Sequence, residues 1–385
     1  MIISGLDRLI ISDNKFINLN SAIIANHTSV TSNLIYSWDI LLGKGFKLKR
    51  IFSPEHGLFG TEQDQIPAGS HSGFPVEIIS LYGNTNSTLF PDEKYLNDLD
   101  IVFFDIQDVG ARYYTYLNTM IYFMRKISGR KIKFAVLDRP NPLGGKTIEG
   151  PLLDMNFESF VGALPVCVRH GFTGGEIALM AKDFYNIDID LQVIKMQNWK
   201  REMFYDETGL TWIPPSPNMP TLNTALVYPG LCLIEGTNLS EGRGTTTPFE
   251  TTGSDFIDSN KYSEYLNSLN LSGVYFRSVL FKPVFGKFAG KTCSGIFIHV
   301  TDRKIFSSFK TGLAVIHAAK KLTGKLIFRT DEYEFNNTIP AFDLLCGNSV
   351  IRNMIEKEDS LESIFNSFHE DESKYLNNKK DYHIY

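Results

Sequence analysis

The sequence predicts an α/β protein with a mainly parallel sheet, followed by a smaller part of α+β type. Up to about residue 225, short apolar runs alternate with longer amphipathic stretches, which predicts strands alternating with helices. Such alternation implies right-handed crossovers between parallel strands. The alternation stops beyond this point, so we expect one domain at residues 1–225 and a second at residues 226–385.

The first domain is expected to contain a strand in each apolar run and a helix in each amphipathic stretch. The predicted strands lie at residues 22–25, 48–52, 77–81, 101–104, 133–137 and 191–196. The predicted helices lie at residues 31–42, 91–99, 113–127 and 173–185.

The second domain has a different composition. Residues 225–253 are rich in glycine, threonine and proline, and we predict a loop there. Farther on, strands are predicted at residues 274–281 and 295–301, and helices at residues 309–322, 349–357 and 360–378. A mixture of this kind is typical of an α+β domain.

Composition and charge exclude several classes of function. Of the 385 residues, 43% are hydrophobic and 21% are charged, which is typical of a globular protein with a sizeable core. The 38 basic and 43 acidic residues give a net charge of −5, and no basic block is present. We therefore expect no binding to nucleic acid and none to an anionic membrane surface.

The cysteines and the N-terminal segment bear on location. Cys167, Cys232, Cys293 and Cys346 form no Cys-x-x-Cys pair, and we expect free, buried thiols. No apolar stretch approaches the length of a membrane helix, so no membrane insertion is expected. Residues 1–20 lack the apolar run of a signal peptide, which predicts a cytoplasmic protein. A trimmed piece of a periplasmic or secreted protein would have the same appearance.

Polar residues cluster directly after the predicted parallel strands. The carboxyl ends of parallel strands meet at one edge of a sheet, where α/β proteins bind ligands. We therefore predict a ligand site at this edge, and its candidate substrate-binding residues are Asn26, His56, Asp105, Gln107, Arg112, Tyr113, Asp138, Arg139 and Asn141. The alternative is that some of them only cap helices or close turns, which Asp105 and Asp138 are well placed to do.

Known cofactor motifs are absent from these turns. No G-x-G-x-x-G follows the first strand, and no P-loop motif or G-x-S-x-G elbow occurs. A metal site formed by His56, Asp105 and Asp108 is conceivable, but the sequence has no helical His-x-x-x-His pair. We expect neither a cofactor nor a metal.

Glu55 has the features of a general acid. It lies between Pro54 and His56 at the end of a predicted strand, and the apolar Leu58 and Phe59 follow. A carboxyl group shielded in this way holds its proton and can donate it to a leaving oxygen, as glycoside hydrolysis requires. The reaction also needs a second group, for which the candidates are Glu149, Asp105, Asp108, Asp138 and the acetamido group of an amino-sugar substrate.

Five long motifs resemble those of the NamZ-type exo-β-N-acetylmuramidases of bacteria, and the resemblance covers nearly the whole chain. They are SPEHG at 53–57, FDIQDVGARYYTY at 104–116, DRPNPLGG at 138–145, PPSPNMPT at 214–221 and EGTNLSEGRGT at 235–245. Residues 63–75 look short for this family, which would alter one wall of the cleft, and the export signal of many relatives is missing.

The resemblance implies a fold, a site and an activity. It implies a Rossmann-like first domain, with the active site in the cleft between the two domains. It implies release of N-acetylmuramic acid (MurNAc) from the non-reducing ends of peptidoglycan fragments such as MurNAc–GlcNAc saccharides. It also implies that Glu55 is catalytic, and we take Glu149 as the second catalytic residue.

Muramic acid carries a lactyl carboxylate, which a selective site should bind with an arginine. The candidates are Arg112, Arg139, Arg169 and Arg243, and the alternative for each is a structural ion pair. Arg243 and Glu241 lie in the glycine-rich stretch 235–247, which we interpret as a wall of the sugar site.

Two other functions stay open from the sequence alone. One is a non-catalytic protein that binds muropeptides, and the other is a metal-dependent hydrolase. Nothing in the sequence predicts an oligomeric state.

Overall fold

The computed structural model describes residues 1–12, 15–62 and 74–385. The segment 63–75, which looked short, therefore lies almost entirely outside the described residues. The strands of the first domain are β1 (Asn20–Ala25), β2 (Lys47–Ser53), β3 (Glu77–Ser80), β4 (Ile101–Asp105), β5 (Lys133–Leu137), β6 (Glu149–Leu152), β7 (Cys167–Arg169) and β8 (Leu191–Ile194). Its helices are α1 (Gly5–Ile11), α2 (Ser37–Gly43), α3 (Tyr116–Lys126) and α4 (Gly174–Phe184).

Helix α5 (Leu222–Leu231) leads into the second domain and spans the position where we predicted the boundary. The strands that follow are β9 (Thr251–Ser254), β10 (Val274–Phe281) and β11 (Cys293–Val300). The helices are α6 (Ser259–Ser268), α7 (Ser308–Thr323), α8 (Ala341–Cys346), α9 (Val350–Glu356), α10 (Leu361–Asn366) and α11 (His369–Asn378).

Six parallel strands form the main sheet in the order β3-β2-β1-β4-β5-β8. This is the strand order of a Rossmann-like fold, and it reverses between β1 and β4. The predicted fold class is confirmed. The predicted strands match the observed ones to within two residues at each end.

Both faces of this sheet are buried, which is why its central strands are continuous apolar runs. On one face, Phe104 and Phe134 pack with Phe123 of α3 in the larger core. On the other face, Phe103 packs with Trp38 of α2 and other apolar residues in a second core. The helices on both faces leave the carboxyl ends of the strands as the open edge.

The second domain contains an antiparallel sheet in the order β10-β11-β9. Helix α6 packs against β10 and β11, and helix α7 packs against both α6 and α5. Helices α5 and α7 approach closely because they cross at two glycines, Gly230 and Gly312.

The four cysteines are free and buried, as predicted.

The predicted loop at residues 225–253 is correct for residues 237–250, which form no helix or strand, but wrong at both ends. The structure has α5 as far as Leu231, a 3-10 turn over Cys232–Gly236, and β9 near the end of the segment. Its glycines serve packing, because Gly230 lies against the backbone of Ser308 and Gly236 lies against the backbone of Phe342. A composition typical of loops therefore reflects close contact between backbones here.

Three predicted helices differ in their extent. The helix at 31–42 begins only at Ser37, because Val30 and Tyr36 form a β-bridge around Leu34, whose φ is positive. The helix at 91–99 is only a 3-10 turn over Glu93–Tyr95. The helix at 360–378 is divided into α10 and α11.

No helix among the described residues has the length and apolar character that a membrane crossing requires.

We predict that Gly312→Ala destabilises the fold. A Cβ atom at residue 312 would collide with the backbone of Gly230, so the α5–α7 contact must open. Overpacking of this kind costs about 1–3 kcal/mol, measurable by denaturant unfolding. Gly43→Ala is the control, because a Cβ atom there meets nothing within 4 Å. Equal stability of the two variants would contradict the close helix contact.

Candidate active site

The polar residues at the switch point of the sheet bind one another. Arg139 forms a fork with Asp105, at 2.6 Å from Nε to Oδ1 and 3.0 Å from Nη2 to Oδ2, and it also donates to the carbonyl of Val30. Asn26 accepts from the hydroxyl of Thr28 at 2.6 Å. Gln107 donates to the carbonyls of Asp108 and Pro140. Arg139, Asp105 and Gln107 are therefore held by partners within the protein at the crevice where many Rossmann-like folds bind a ligand.

Asp138 and Asn141 hold the chain that enters α4. Asp138 accepts from the amide of Gly175 at 2.9 Å and from the hydroxyls of Thr173 at 2.7 Å and Tyr385 at 2.8 Å. Burial raises the pKa of Asp138 to about 6. Asn141 donates to the carbonyl of Phe172 and accepts from the amide of Leu143. These contacts match the capping alternative that the sequence left open for Asp138.

A cavity between the two domains contains Glu55. Its empty volume, including open solvent at the mouth, is about 440 Å³. Residues from both domains line it, and they are Glu55, His56, Tyr113, Tyr114, Thr115, Val161, Ser216, Asn218, Met219, Tyr228, Glu235, Arg243, Phe249, Tyr333 and Glu334.

The turn after β2 places Glu55 in this cavity. The amide of Gly57 donates to the carbonyl of Pro54, and both His56 and Gly57 have positive φ angles. Glu55 is only 4% exposed, and Thr115, which precedes α3, donates its hydroxyl to Oε2 at 2.7 Å. His56 bonds through Nδ1 to the carbonyl of Glu62 at 3.0 Å, which requires that this nitrogen carry the proton.

Arg243 enters the cavity from the glycine-rich stretch, held between two carboxylates. Its Nη2 donates to Glu235 at 2.7 Å, its Nε lies 3.8 Å from Glu241, and its guanidinium lies over the ring of Phe249. Burial favours the neutral form of Glu235, but Arg243 and Tyr333 outweigh burial and lower its pKa. Glu235 is therefore ionised and fixes Arg243 in place.

A turn at residues 333–336 brings Tyr333 and Glu334 to the cavity. The amide of Tyr333 donates to the carbonyl of Asn336, and the reverse bond is also present. Glu334 is 8% exposed, and its Oε2 accepts from the hydroxyl of Tyr82, just beyond β3, at 3.1 Å. This contact joins the second domain to the first at the cavity wall.

Other predicted site residues lie elsewhere or have structural partners. Arg112 donates to three backbone carbonyls, those of Pro151, Val166 and Leu345, and does not line the cavity. Tyr113 does line it, but its hydroxyl donates to the carbonyl of Pro229. Glu241 lies outside the lining and makes an ion pair with Lys287 at 3.0 Å.

The structure gives Glu149 structural partners. Its Oε1 accepts from Arg169 at 2.7 Å, and its Oε2 accepts from the amide of Phe309 and the hydroxyl of Ser307. These last two groups belong to the N-terminus of α7, where a negative charge is favourable. Glu149 does not line the cavity that contains Glu55.

Sequence reasoning missed several residues that line the cavity. Thr115, Ser216, Asn218 and Glu235 lie inside motifs that were recognised as unusual, so a signal for them was present. Glu334 had no such signal, because the run from Asp331 to Glu334 has the appearance of a solvated charged turn.

Within the described ranges, no three His, Cys, Asp or Glu side chains come together as metal ligands would. The cavity instead offers carboxyl groups, an arginine and aromatic faces such as Tyr228 and Phe249. Carboxyl groups perform acid–base catalysis on a glycosidic bond, and aromatic faces pack against a sugar ring. The cavity therefore contains the kinds of group that a glycoside hydrolase needs.

Comparisons with known proteins agree with this class. A family model described as exo-beta-N-acetylmuramidase NamZ, N-terminal, matches residues 21–223, and its C-terminal counterpart matches residues 226–385. The peptidoglycan beta-N-acetylmuramidase NamZ of Bacillus subtilis strain 168 is 45% identical over 368 residues, which are 94% of this chain and 86% of that protein. The chain belongs to the NamZ family.

Solved structures show the same fold. Two crystal structures of DUF1343 family proteins from Bacteroides fragilis NCTC 9343 are each 30% identical to this chain. Their TM-scores are 0.90 and 0.78, and each comparison covers 100% of this chain and 99% of the other.

We predict that Glu149→Gln destabilises the fold, because it leaves the buried charge of Arg169 without its counterion. Breaking a buried pair from one side costs about 3–5 kcal/mol, to be measured by denaturant unfolding. Glu356→Gln is the control, since its partner Arg352 is on the surface and such pairs contribute about 0–1 kcal/mol. Full stability with lost turnover would instead support the catalytic role that the sequence suggested.

Proposed function

We propose that this protein is an exo-acting hydrolase that releases MurNAc from the non-reducing ends of peptidoglycan fragments, with Glu55 as the general acid. The observation that carries the proposal is the buried carboxyl group of Glu55 in a cavity between the domains of a NamZ-family chain. The name of the 45% identical relative supports the substrate class.

The surroundings of Glu55 suit an acid. The hydroxyl of Thr115 orients the carboxyl group, and tyrosines from both domains line the cavity around it.

Arg243 is our choice for the residue that binds the lactyl carboxylate. It is the arginine among the described residues that line the cavity. Glu235 and Phe249 fix its guanidinium, so little side-chain entropy is lost when a carboxylate binds.

The substrate is tested by digestion of the disaccharide MurNAc-β-1,4-GlcNAc, with and without a chelator, followed by mass spectrometry. We expect free MurNAc in both samples. An intact disaccharide that binds to the protein would favour the non-catalytic alternative, and loss of product with the chelator would favour a metal-dependent hydrolase.

Glu55→Gln tests the acid. Glutamine preserves the shape and the bond from Thr115 but has no proton to donate, so we expect turnover to fall by about a hundredfold or more with the fold intact. Glu332→Gln, the same change at an exposed position, is the control. Turnover of Glu55→Gln near that of the control would remove Glu55 from the mechanism.

A further inference from the structure

Glycoside hydrolysis needs a second group besides the acid, and the cavity limits the choice. Among the described residues that line it, the carboxyl groups are those of Glu55, Glu235 and Glu334. Glu149 does not line it, and both of its oxygens bind structural partners. If the second catalytic group is a carboxyl group of this cavity, it is therefore Glu235 or Glu334.

Glu235 is committed to another task. Its Oε1 accepts from Arg243 at 2.7 Å, and its Oε2 accepts from the hydroxyl of Tyr333 at 2.7 Å. A carboxylate with a strong bond on each oxygen is a weakened base, because taking up a proton would break one of these bonds. Its role is to hold Arg243 and the turn that contains Tyr333.

Glu334 is presented to the cavity by a strained turn. Its φ is +45° and that of Phe335 is +64°, conformations that are uncommon for residues other than glycine. Such conformations persist only where the surroundings enforce them, and they are typical of functional sites.

The surroundings that enforce this turn come from both domains. Phe335 packs against the rings of Tyr82 and Phe160, with centroids at 5.4 and 6.2 Å. The hydroxyl of Tyr333 is bound to Glu235, and that of Tyr82 orients the carboxyl group of Glu334. Residues of both domains thus fix the turn, which indicates that the position of Glu334 is functionally important.

We propose that Glu334 is the second catalytic carboxylate, and this inference rests on the proposed function. Glu55 donates its proton to the glycosidic oxygen, and the bond from that oxygen to C1 breaks with its electron pair remaining on the oxygen. A water molecule adds to C1, and Glu334 takes the proton that the water loses. Exchange of one proton with solvent at each carboxyl group restores the starting state.

The test is the disaccharide digest with two variants of Glu334. We expect Glu334→Gln to lower kcat about a hundredfold or more while KM changes little, since the group acts mainly in the transition state. Glu332→Gln, two residues away in sequence and exposed, is the matched control. Melting temperatures of all variants check that they are folded.

Azide distinguishes a catalytic role of Glu334 from a structural one. Azide has no proton to lose, so it does not need a base, and the smaller side chain of Glu334→Ala leaves room for it. We expect azide to restore turnover of Glu334→Ala and to yield the MurNAc azide of inverted anomeric configuration. It should not do so for Glu235→Ala, whose loss displaces Arg243.

Two outcomes would overturn the inference. One is near-normal kcat of Glu334→Gln, and the other is a loss in Glu334→Ala that azide does not relieve. In both cases the unchanged protein would still release MurNAc, so the proposed function would stand. An unchanged protein that releases no MurNAc would defeat the proposed function and the inference together.

Discussion

Burial of the Glu55 carboxyl group between two domains is the constraint on which the rest of the site depends. A buried carboxyl group needs hydrogen-bond partners. The first domain supplies the turn that holds Glu55 and the hydroxyl of Thr115. The second domain supplies the opposite wall, with Glu235, Arg243 and Glu334, so neither domain forms the cavity alone.

The Rossmann-like sheet supports the site indirectly. Parallel strands bring many polar residues to one edge, and in this protein most of them satisfy one another: Arg139 binds Asp105, and Asp138 holds the start of α4. Buried polar groups without partners are costly, so this network forms a rigid base. The cavity that contains Glu55 is displaced from that base toward the end of β2 and the second domain.

Much of the fold could be predicted because local signals and burial agree. The central strands are apolar runs with polar ends, and the Thr173–Glu176 capping box marks the start of α4. The sequence also drew attention to Glu55, which lies between Pro54 and His56 at a strand end, and the structure shows it lining the cavity. The domain boundary and the cytoplasmic location stay predictions.

The other features of the site could not be predicted, because they depend on contacts between residues that are distant in sequence. Glu149 and Arg112 are indistinguishable from site residues until their partners in α7 and in the segment near Leu345 are known. Glu334 lies 279 positions after Glu55 (334 minus 55), in a turn whose composition is that of solvated surface. The packing of Tyr82 and Phe160 against Phe335 and the bonds from the hydroxyls of Tyr82 and Tyr333 hold that turn at the cavity.

The most direct test of this account is a crystal structure of Glu55→Gln with MurNAc-β-1,4-GlcNAc bound. We expect the MurNAc ring in the cavity between the domains, with residue 55 within hydrogen-bonding distance of the glycosidic oxygen. The lactyl carboxylate should lie against Arg243, and a water molecule next to C1 should contact Glu334. A disaccharide bound at another place, or with its glycosidic oxygen turned away from residue 55, would contradict the account.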